Sequence, residues 1–347
     1  VSATLVSAAS AVGGEEVHLS WRPFRFPLPA PLRTAAGCLT HRHGWLLRLH
    51  TASGGRGWGE AAPLDFGPAE GGGLDACAEA LQALGARQPR EALERGLPSL
   101  PPAVAFALGA ALAEADGLVG PVAGGWRQAP PSAWLLPAGE AALAAARALL
   151  EGWASSSLGG GNPPTWKWKV GVHPAPQEQA WYQDLAECAP PGARLRLDAN
   201  GGFDRDTAWS WAELLRGDGR LEWLEQPLDP ADHEGLEALA RAVPVALDES
   251  LRRRPELRRL WPGWQARRPS QEGDPRPLLR ELEEGRPWVM VSTSFETGIG
   301  QRWLAHLAAL QAEGPTPTAP GLAPGWRAPG ALASDCPETV WFAAGAG

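Results

Sequence analysis

Lysine is nearly missing from this chain. Of 31 basic side chains only Lys167 and Lys169 are lysine, two residues apart in TWKWKVG; the rest are arginine. Methionine and tyrosine occur once each, and isoleucine is almost absent, whereas alanine, glycine, proline, arginine and tryptophan are in excess. That is the mark of GC-rich codon usage, so composition by itself says little about fold. Cysteine is sparse: Cys38, Cys77, Cys188 and Cys336 form no CxxC pair and no Cys/His group with zinc spacing. Four scattered thiols fit a reducing compartment, and the expected location is the cytoplasm. No apolar run reaches the roughly 18 residues of a membrane span; Pro102–Ala115, the longest candidate, reads as a buried helix. Residues 1–14 lack the apolar core of a signal peptide and read as a disordered leader. A surplus of positive charge is absent too. The formal net charge of −8 argues against a nucleic-acid partner. No GxSxG, GxxxxGK[ST] or GxGxxG context occurs, which leaves serine hydrolases and phosphate-loop NTPases unsupported.

What is present is ordinary globular material: 44% hydrophobic and 20% charged residues over a length that predicts two domains, or one with an appendage. The first hundred residues predict an α+β unit. It has strands at His18–Leu28 and Trp45–Leu49, a helix at Ala76–Leu84, and glycine-rich turns at 54–59 and 71–73. A helix over 103–114 follows. From about 132 short apolar runs alternate with amphipathic stretches. Strands are predicted at Ala133–Leu136, Thr165–Val170, Arg194–Asp198, Leu221–Glu225, Val245–Asp248, Trp264–Arg268 and Trp288–Ser292. Helices are predicted between them at 140–150, 177–186, 204–215, 232–242, 254–260, 275–284 and 300–311. Seven such units, with a weakly marked eighth strand near 316–322, predict an α/β chain with a (β/α)-barrel, a modified TIM barrel, behind the N-terminal unit. The expected division is 1–100, 101–322 and a C-terminal segment, 323–347, packing back on the first unit.

In such a barrel the strand C-termini form the active site. Three successive strands end in acids: Asp198 in RLDAN, Glu225 in LEQP and Asp248, followed by Glu249, in LDES. The strands on either side end in cations, Lys167 and Lys169 before them and Arg268 in ARRPS after. A single strand-end acid is more often a helix cap or a loop salt bridge, and Asp198 and Asp248 could each cap the next helix. Three in succession point instead to a hard divalent cation held by oxygen, Mg²⁺. Lys167 and Lys169 share a strand face. If it faces inward, they stand over the acids while Trp166 and Trp168 pack under the helices. Arginine keeps its proton in a protein, whereas a desolvated lysine near other cations can lose it. A chain that writes arginine elsewhere therefore uses lysine where a proton must move. HRH at 41–43 reads as a strand-edge polar pair, RRRPELRR at 252–259 as a solvated helix, and the scattered tryptophans as core filling.

These residues resemble the enolase superfamily in its muconate-lactonizing subgroup: KxK on the second strand, Asp/Glu/Asp on the third to fifth, a cation on the sixth. The likeness is greatest to the o-succinylbenzoate synthases, through LRLDANGGF, LEWLEQPL, VALDES and VSTSFETGIG, and runs from about 20 to 322. The resemblance implies a capping unit whose covering loops lie at 31–37 and 57–70. It implies a small-molecule carboxylate as substrate and a Mg²⁺-dependent dehydration through an enediolate, in menaquinone or phylloquinone biosynthesis. It assigns both proton transfers to Lys169, electrostatic support to Lys167, and the metal to Asp198, Glu225 and Asp248, with Asn200 and Glu249 behind them. Arg196 would neutralise the acid cluster or meet the substrate, and Thr293, Ser294 and the Gly321 backbone would receive the succinyl carboxylate. Two departures stand out. Arg268 replaces the usual sixth-strand lysine, and PGLAP at 320–324 lacks the acid and threonine that often follow. A racemase on this scaffold needs a base on each face of its substrate; a one-face dehydratase needs only positive charge opposite Lys169. A cycloisomerase, an acylamino-acid racemase and a non-catalytic ligand-binding barrel remain as alternatives.

Overall fold

The computed structural model describes residues 15–34, 37–64, 73–155 and 163–345. The leader at 1–14, the turn residues 71–72 and parts of both expected covering loops (35–36 and 65–70) lie outside them. The N-terminal unit is a four-stranded antiparallel sheet in the order β3-β2-β1-β4. Its strands are β1 (Glu16–Thr34), β2 (Gly37–Thr51), β3 (Arg56–Ala61) and β4 (Arg87–Pro89), with helices α1 (Gly73–Leu84), α2 (Arg90–Gly96) and α3 (Pro102–Ala115). Both predicted strands lie inside longer ones. The expected turn at 54–59 is a correction. Only its first residues turn; the rest is β3. Its glycines answer a steric demand rather than a change of direction. A Cβ on Gly57 would stand 1.7 Å from the carbonyl oxygen of Ala111, and one on Gly59 1.9 Å from that of Ala107. The sheet thus rests directly on the backbone of α3. Gly57→Ala should lower stability by about 1–3 kcal/mol through overpacking. The check is the urea midpoint against that of Gly96→Ala, where an added methyl meets nothing within 4 Å.

Helix α3 is buried all round. Val104, Ala107, Leu108 and Ala111 face the antiparallel sheet, whereas Phe106, Ala110 and Ala113 join a cluster with Leu278, Trp303 and Leu307. It is therefore shared between the two halves of the chain.

The second half alternates β5 (Trp134–Leu136), α4 (Ala141–Ser155), β6 (Thr165–Lys169), α5 (Ala175–Cys188), β7 (Arg194–Asp198), α6 (Arg205–Leu215), β8 (Leu221–Glu225), α7 (His233–Ala240), β9 (Val245–Leu247), α8 (Glu249–Arg253), α9 (Leu257–Leu260), β10 (Trp264–Arg267), α10 (Arg276–Glu283), β11 (Val289–Val291) and α11 (Gly298–Glu313). The seven strands form one parallel sheet in sequence order. Its two edges are joined at Gly321. Gly321 N–H donates to Val291 O (2.8 Å) and Thr293 N–H to Gly321 O (3.0 Å), while Ala133 N–H donates to Pro320 O (2.9 Å). The eighth position is a single bridge, so apolar periodicity could only mark it weakly.

The expected helix over 254–260 shrinks to α9; α8 ends before it at Arg253, with Pro255 at the break. Proline lacks the N–H a continuous helix needs there and disfavours helical geometry in the residue before it. Beyond Gly321, Trp326, Ala328, Val340 and Trp341 pack on Phe24, Phe26, Leu46 and Trp58 of the antiparallel sheet, the last two through α12 (Pro337–Ala343).

Candidate active site

Period-two geometry sorts the barrel strands. Trp166 and Trp168 are buried outside the sheet among Leu185, Ala146 and Trp211, beneath the helices. Lys167 and Lys169 therefore point inward and line a cavity of about 780 Å³ at the strand C-termini. Asp198 lines it from β7 and Asp248 and Glu249 from the end of β9; Arg268 lines it from the end of β10. Glu225, at the end of β8, is fully buried in its wall.

The charges are interlocked. Lys167 Nζ lies 2.8 Å from Asp198 Oδ2 and 2.7 Å from Glu225 Oε1. Trp223 Nε1 donates to the other Glu225 oxygen at 3.3 Å. Arg268 grips Asp248 with Nε (3.0 Å to Oδ1) and Nη2 (2.5 Å to Oδ2), and its Nη1 donates to Thr293 O at 2.6 Å. Asn200 Nδ2 donates to Glu249 Oε1 at 3.2 Å. Burial would lower the Lys167 pKa, but Asp198 and Glu225 outweigh it and the ammonium is held above its ordinary range. Lys169 is shifted the other way, first by burial and then by the Lys167 charge, against Asp198 and Glu249. Of two lysines on one strand face, one is locked protonated and the other is eased towards neutrality. Burial and the neighbouring Asp198 raise Glu225, and burial with Asp248 and Asp198 pushes Glu249 up to about 8. Asp248 is lowered, because Arg268 overcomes its burial.

Neither Asp198 nor Asp248 acts as a helix cap. Asp204 caps α6 through Thr207 N–H (2.8 Å), and Asp248 sits ahead of α8 without a capping bond. Among the described residues no three acidic, histidine or cysteine side chains form a ready-made metal cage; Lys167 and Arg268 hold the carboxylates instead. The donor set nevertheless fits a hard cation. All its atoms are oxygens on adjacent strand ends, and four carboxylates face three cations. Glu249 Oε2 is buried without a hydrogen-bond partner.

Two expected substrate contacts need correction. Arg196 is fully buried one side-chain layer below Asp198. It stacks 4.1 Å from the Trp223 ring, donates to Glu222 Oε2 (2.6 Å), Thr318 Oγ1 (2.6 Å) and Ala319 O (2.7 Å), and does not line the cavity. Ser294 is also fully buried and off the cavity; its neighbours Thr293 and Phe295 are on it, with Gly321. Sequence reasoning also misses Gln226. It is buried at φ 38°, and its side-chain oxygen accepts from Asp248 N–H (3.2 Å) and Ser250 N–H (3.0 Å) while its amide donates to Ser250 Oγ (2.8 Å). It staples the end of β8 to the end of β9 and so fixes where Glu225 and Asp248 stand. The only signal was its place after Glu225 in LEQP.

The site can be compared with known proteins. A family model described as enolase C-terminal domain-like matches residues 144–262. The o-succinylbenzoate synthase of Thermosynechococcus vestitus is 37% identical over 298 residues, 83% of this chain and 87% of that protein. A crystal structure of o-succinylbenzoate synthase from Thermosynechococcus elongatus, with magnesium in the active site, superposes with a TM-score of 0.75 at 34% identity, covering 94% of this chain and 99% of that one. An L-Ala-D/L-Glu epimerase from Bacillus subtilis shares the fold at TM-score 0.66 and 22% identity, over 86% of this chain and 88% of its own. With these similarities over most of its length, the chain belongs to the o-succinylbenzoate synthase family of the enolase superfamily.

Proposed function

We propose that the protein is an o-succinylbenzoate synthase, converting 2-succinyl-6-hydroxy-2,4-cyclohexadiene-1-carboxylate to 2-succinylbenzoate and water by one-base syn-dehydration. The observation that carries this reading is the asymmetry across the cavity. Lys169 stands on β6, and four strands round the barrel stands Arg268, a guanidinium clamped on Asp248 and raised by that contact above an already high pKa, with burial opposing. Of Lys167, Lys169 and Arg268 on the cavity, Lys169 is the one eased towards the free amine.

Lys169, as the free amine, takes the proton next to the ring carboxylate. The C–H electron pair delocalises first into the adjacent carboxylate, giving an enediolate, and then becomes the new ring double bond as the C–O bond breaks. The departing hydroxyl takes the proton back from Lys169 and leaves as water, so the lysine ends as it began. Asp198, Glu225 and Asp248 would hold Mg²⁺, which, when bound, supplies Lewis-acid stabilisation of the substrate carboxylate as charge builds on it. Lys167 keeps two of those acids together and by its charge favours the free amine of Lys169 before the reaction. Arg268 offers fixed positive charge to the opposite side of the ring. We assign Thr293 and Gly321 to the succinyl arm, in place of Arg196 and Ser294. We place this chemistry in a reducing cytoplasm as a step towards menaquinone or phylloquinone. No disulfide joins the described cysteines, and no helix among the described residues is long and apolar enough to cross a membrane. The division into a capping unit (1–100), a barrel (101–322) and a returning C-terminal segment (323–347) is part of the same reading.

The test is ultraviolet detection of the aromatic product with Mg²⁺ and with EDTA. Magnesium-dependent product is expected, and none at any magnesium concentration rejects the reading. An N-acylamino acid in deuterium oxide gives the second arm. Substantial inversion from both enantiomers would show a base on each face and favour a racemase, which the Arg268 geometry opposes.

A further inference from the structure

Two buried carboxylates lie outside this machinery, where the antiparallel sheet meets the barrel. Glu60, on β3, is 1% exposed, and Glu296, just before α11, is fully buried. Glu60 reaches across to the first turn of α11. It accepts from Thr297 N–H at 3.0 Å, from Thr297 Oγ1 at 2.6 Å and from Gly300 N–H at 3.1 Å. Glu296 faces the cavity wall instead, accepting from Thr293 Oγ1 (2.6 Å), Ser294 N–H (2.8 Å) and Ser270 Oγ (2.5 Å). Arg42, whose charge interacts with both acids, is 1% exposed and donates to the carbonyls of Ala62 and Pro63, both at 2.6 Å.

This contact is made to fit. A Cβ on Gly300 would stand 2.6 Å from the Glu296 Cβ and 3.0 Å from Glu60 Oε2, so only glycine leaves room for both acids. It is also electrostatically unfavourable to build. Burial first, and then Glu296, push the Glu60 carboxyl up to about 7 against the pull of Thr297 and Arg42. Apolar packing would join the two units without that opposition. What the acids add is a rigid connection. It runs from β3 through Thr297 and Glu296 to Thr293, whose hydroxyl also receives Phe295 N–H at 2.8 Å and whose carbonyl holds Arg268. Phe295, on the cavity wall, is held at φ 64°, a conformation a phenylalanine adopts only when its surroundings impose it.

We propose that Glu60 is a positioning residue. By docking the capping unit on the amino end of α11 it sets the Thr293–Phe295 wall of the cavity, and so the subsite for the part of the substrate that extends away from the metal-binding acids. This rests on the cavity being the substrate site. The test compares Glu60→Gln and Glu60→Asp with the parent protein. Glutamine keeps the size of the side chain but turns an NH₂ on N–H donors, whereas aspartate keeps the acceptor charge. In Glu60→Gln, KM and the dissociation constant of 2-succinylbenzoate should rise about tenfold, the low end of what one lost charge-assisted hydrogen bond is worth, while kcat and magnesium affinity stay within about threefold. Amide exchange should quicken in the peptide covering 289–300 and not in those covering 194–201 and 221–228. Glu60→Asp should recover part of both effects. Unchanged KM, unchanged exchange at 289–300, or an equal loss of kcat and magnesium affinity overturns the proposal. A parent protein that makes no aromatic product sinks the dehydratase reading alone, because the exchange measurement still decides whether Glu60 shapes the wall.

Discussion

Lys169→Arg should lose turnover almost as completely as Lys169→Ala, each by about 10³-fold or more, the upper part of the range for general acid–base catalysis. The equality of the two is what carries the information. An electrostatic role would survive in arginine, which keeps the charge and the reach; a proton-transfer role would not, since the guanidinium does not give up its proton. The surroundings of Lys169 already point that way, with burial and the Lys167 charge lowering its pKa. The rate at subsaturating substrate should rise with pH through that lowered value, because abstraction needs the free amine. Lys167→Met removes the neighbouring positive charge and should move this limb to higher pH, whereas Lys167→Arg should leave it in place and lose less activity. Stopped-flow or steady-state ultraviolet assays of the four variants across the neutral and alkaline range read all of this. Full activity in Lys169→Arg would end the assignment.

Most of the candidate site was legible as a cluster because its signals are local. Residues of strand period two, an acid at each of three successive strand ends, and two lysines in an arginine-rich chain are all read within a few positions. The misreadings share a different origin. Arg196 obeys the same period as Asp198 and so does face inward. The sequence does not reveal depth, however, and one layer further down the barrel a guanidinium meets Trp223 and Glu222 rather than a ligand. The glycines of β3 look like turn formers until α3 is seen lying on them. Glu60 has no local signal and Gln226 only its place after Glu225, since their partners come from 237 and 22 positions away. The eighth barrel position has one bridge and no apolar run, which is why periodicity marked it least.

The acids proposed to bind the metal give the second large effect, and the two charge pairs predict opposite stabilities for it. EDTA should abolish turnover, and so should Glu225→Gln and Asp248→Asn. In metal-free protein, however, Glu225 is a strained ligand: it is fully buried, and desolvation and Asp198 together outweigh the help from Lys167, so its ionised form is disfavoured. Glu225→Gln removes that repulsion while keeping an acceptor for Lys167, and its metal-free melting temperature should equal or exceed that of the parent. Asp248 is the reverse. Its charge is favoured by Arg268, and Asp248→Asn strands a buried guanidinium that has lost its two-pronged partner, a loss of about 3–5 kcal/mol for a broken buried pair. Magnesium at a hundred times its dissociation constant should stabilise the parent by about 2.7 kcal/mol and neither variant. Calorimetric scans with and without magnesium would therefore show the parent and Glu225→Gln changing order. If Glu225→Gln instead melts well below the parent in EDTA, the acids are held together by Lys167 as a structural ion pair. The excess negative charge that makes this a cation site would then not be there.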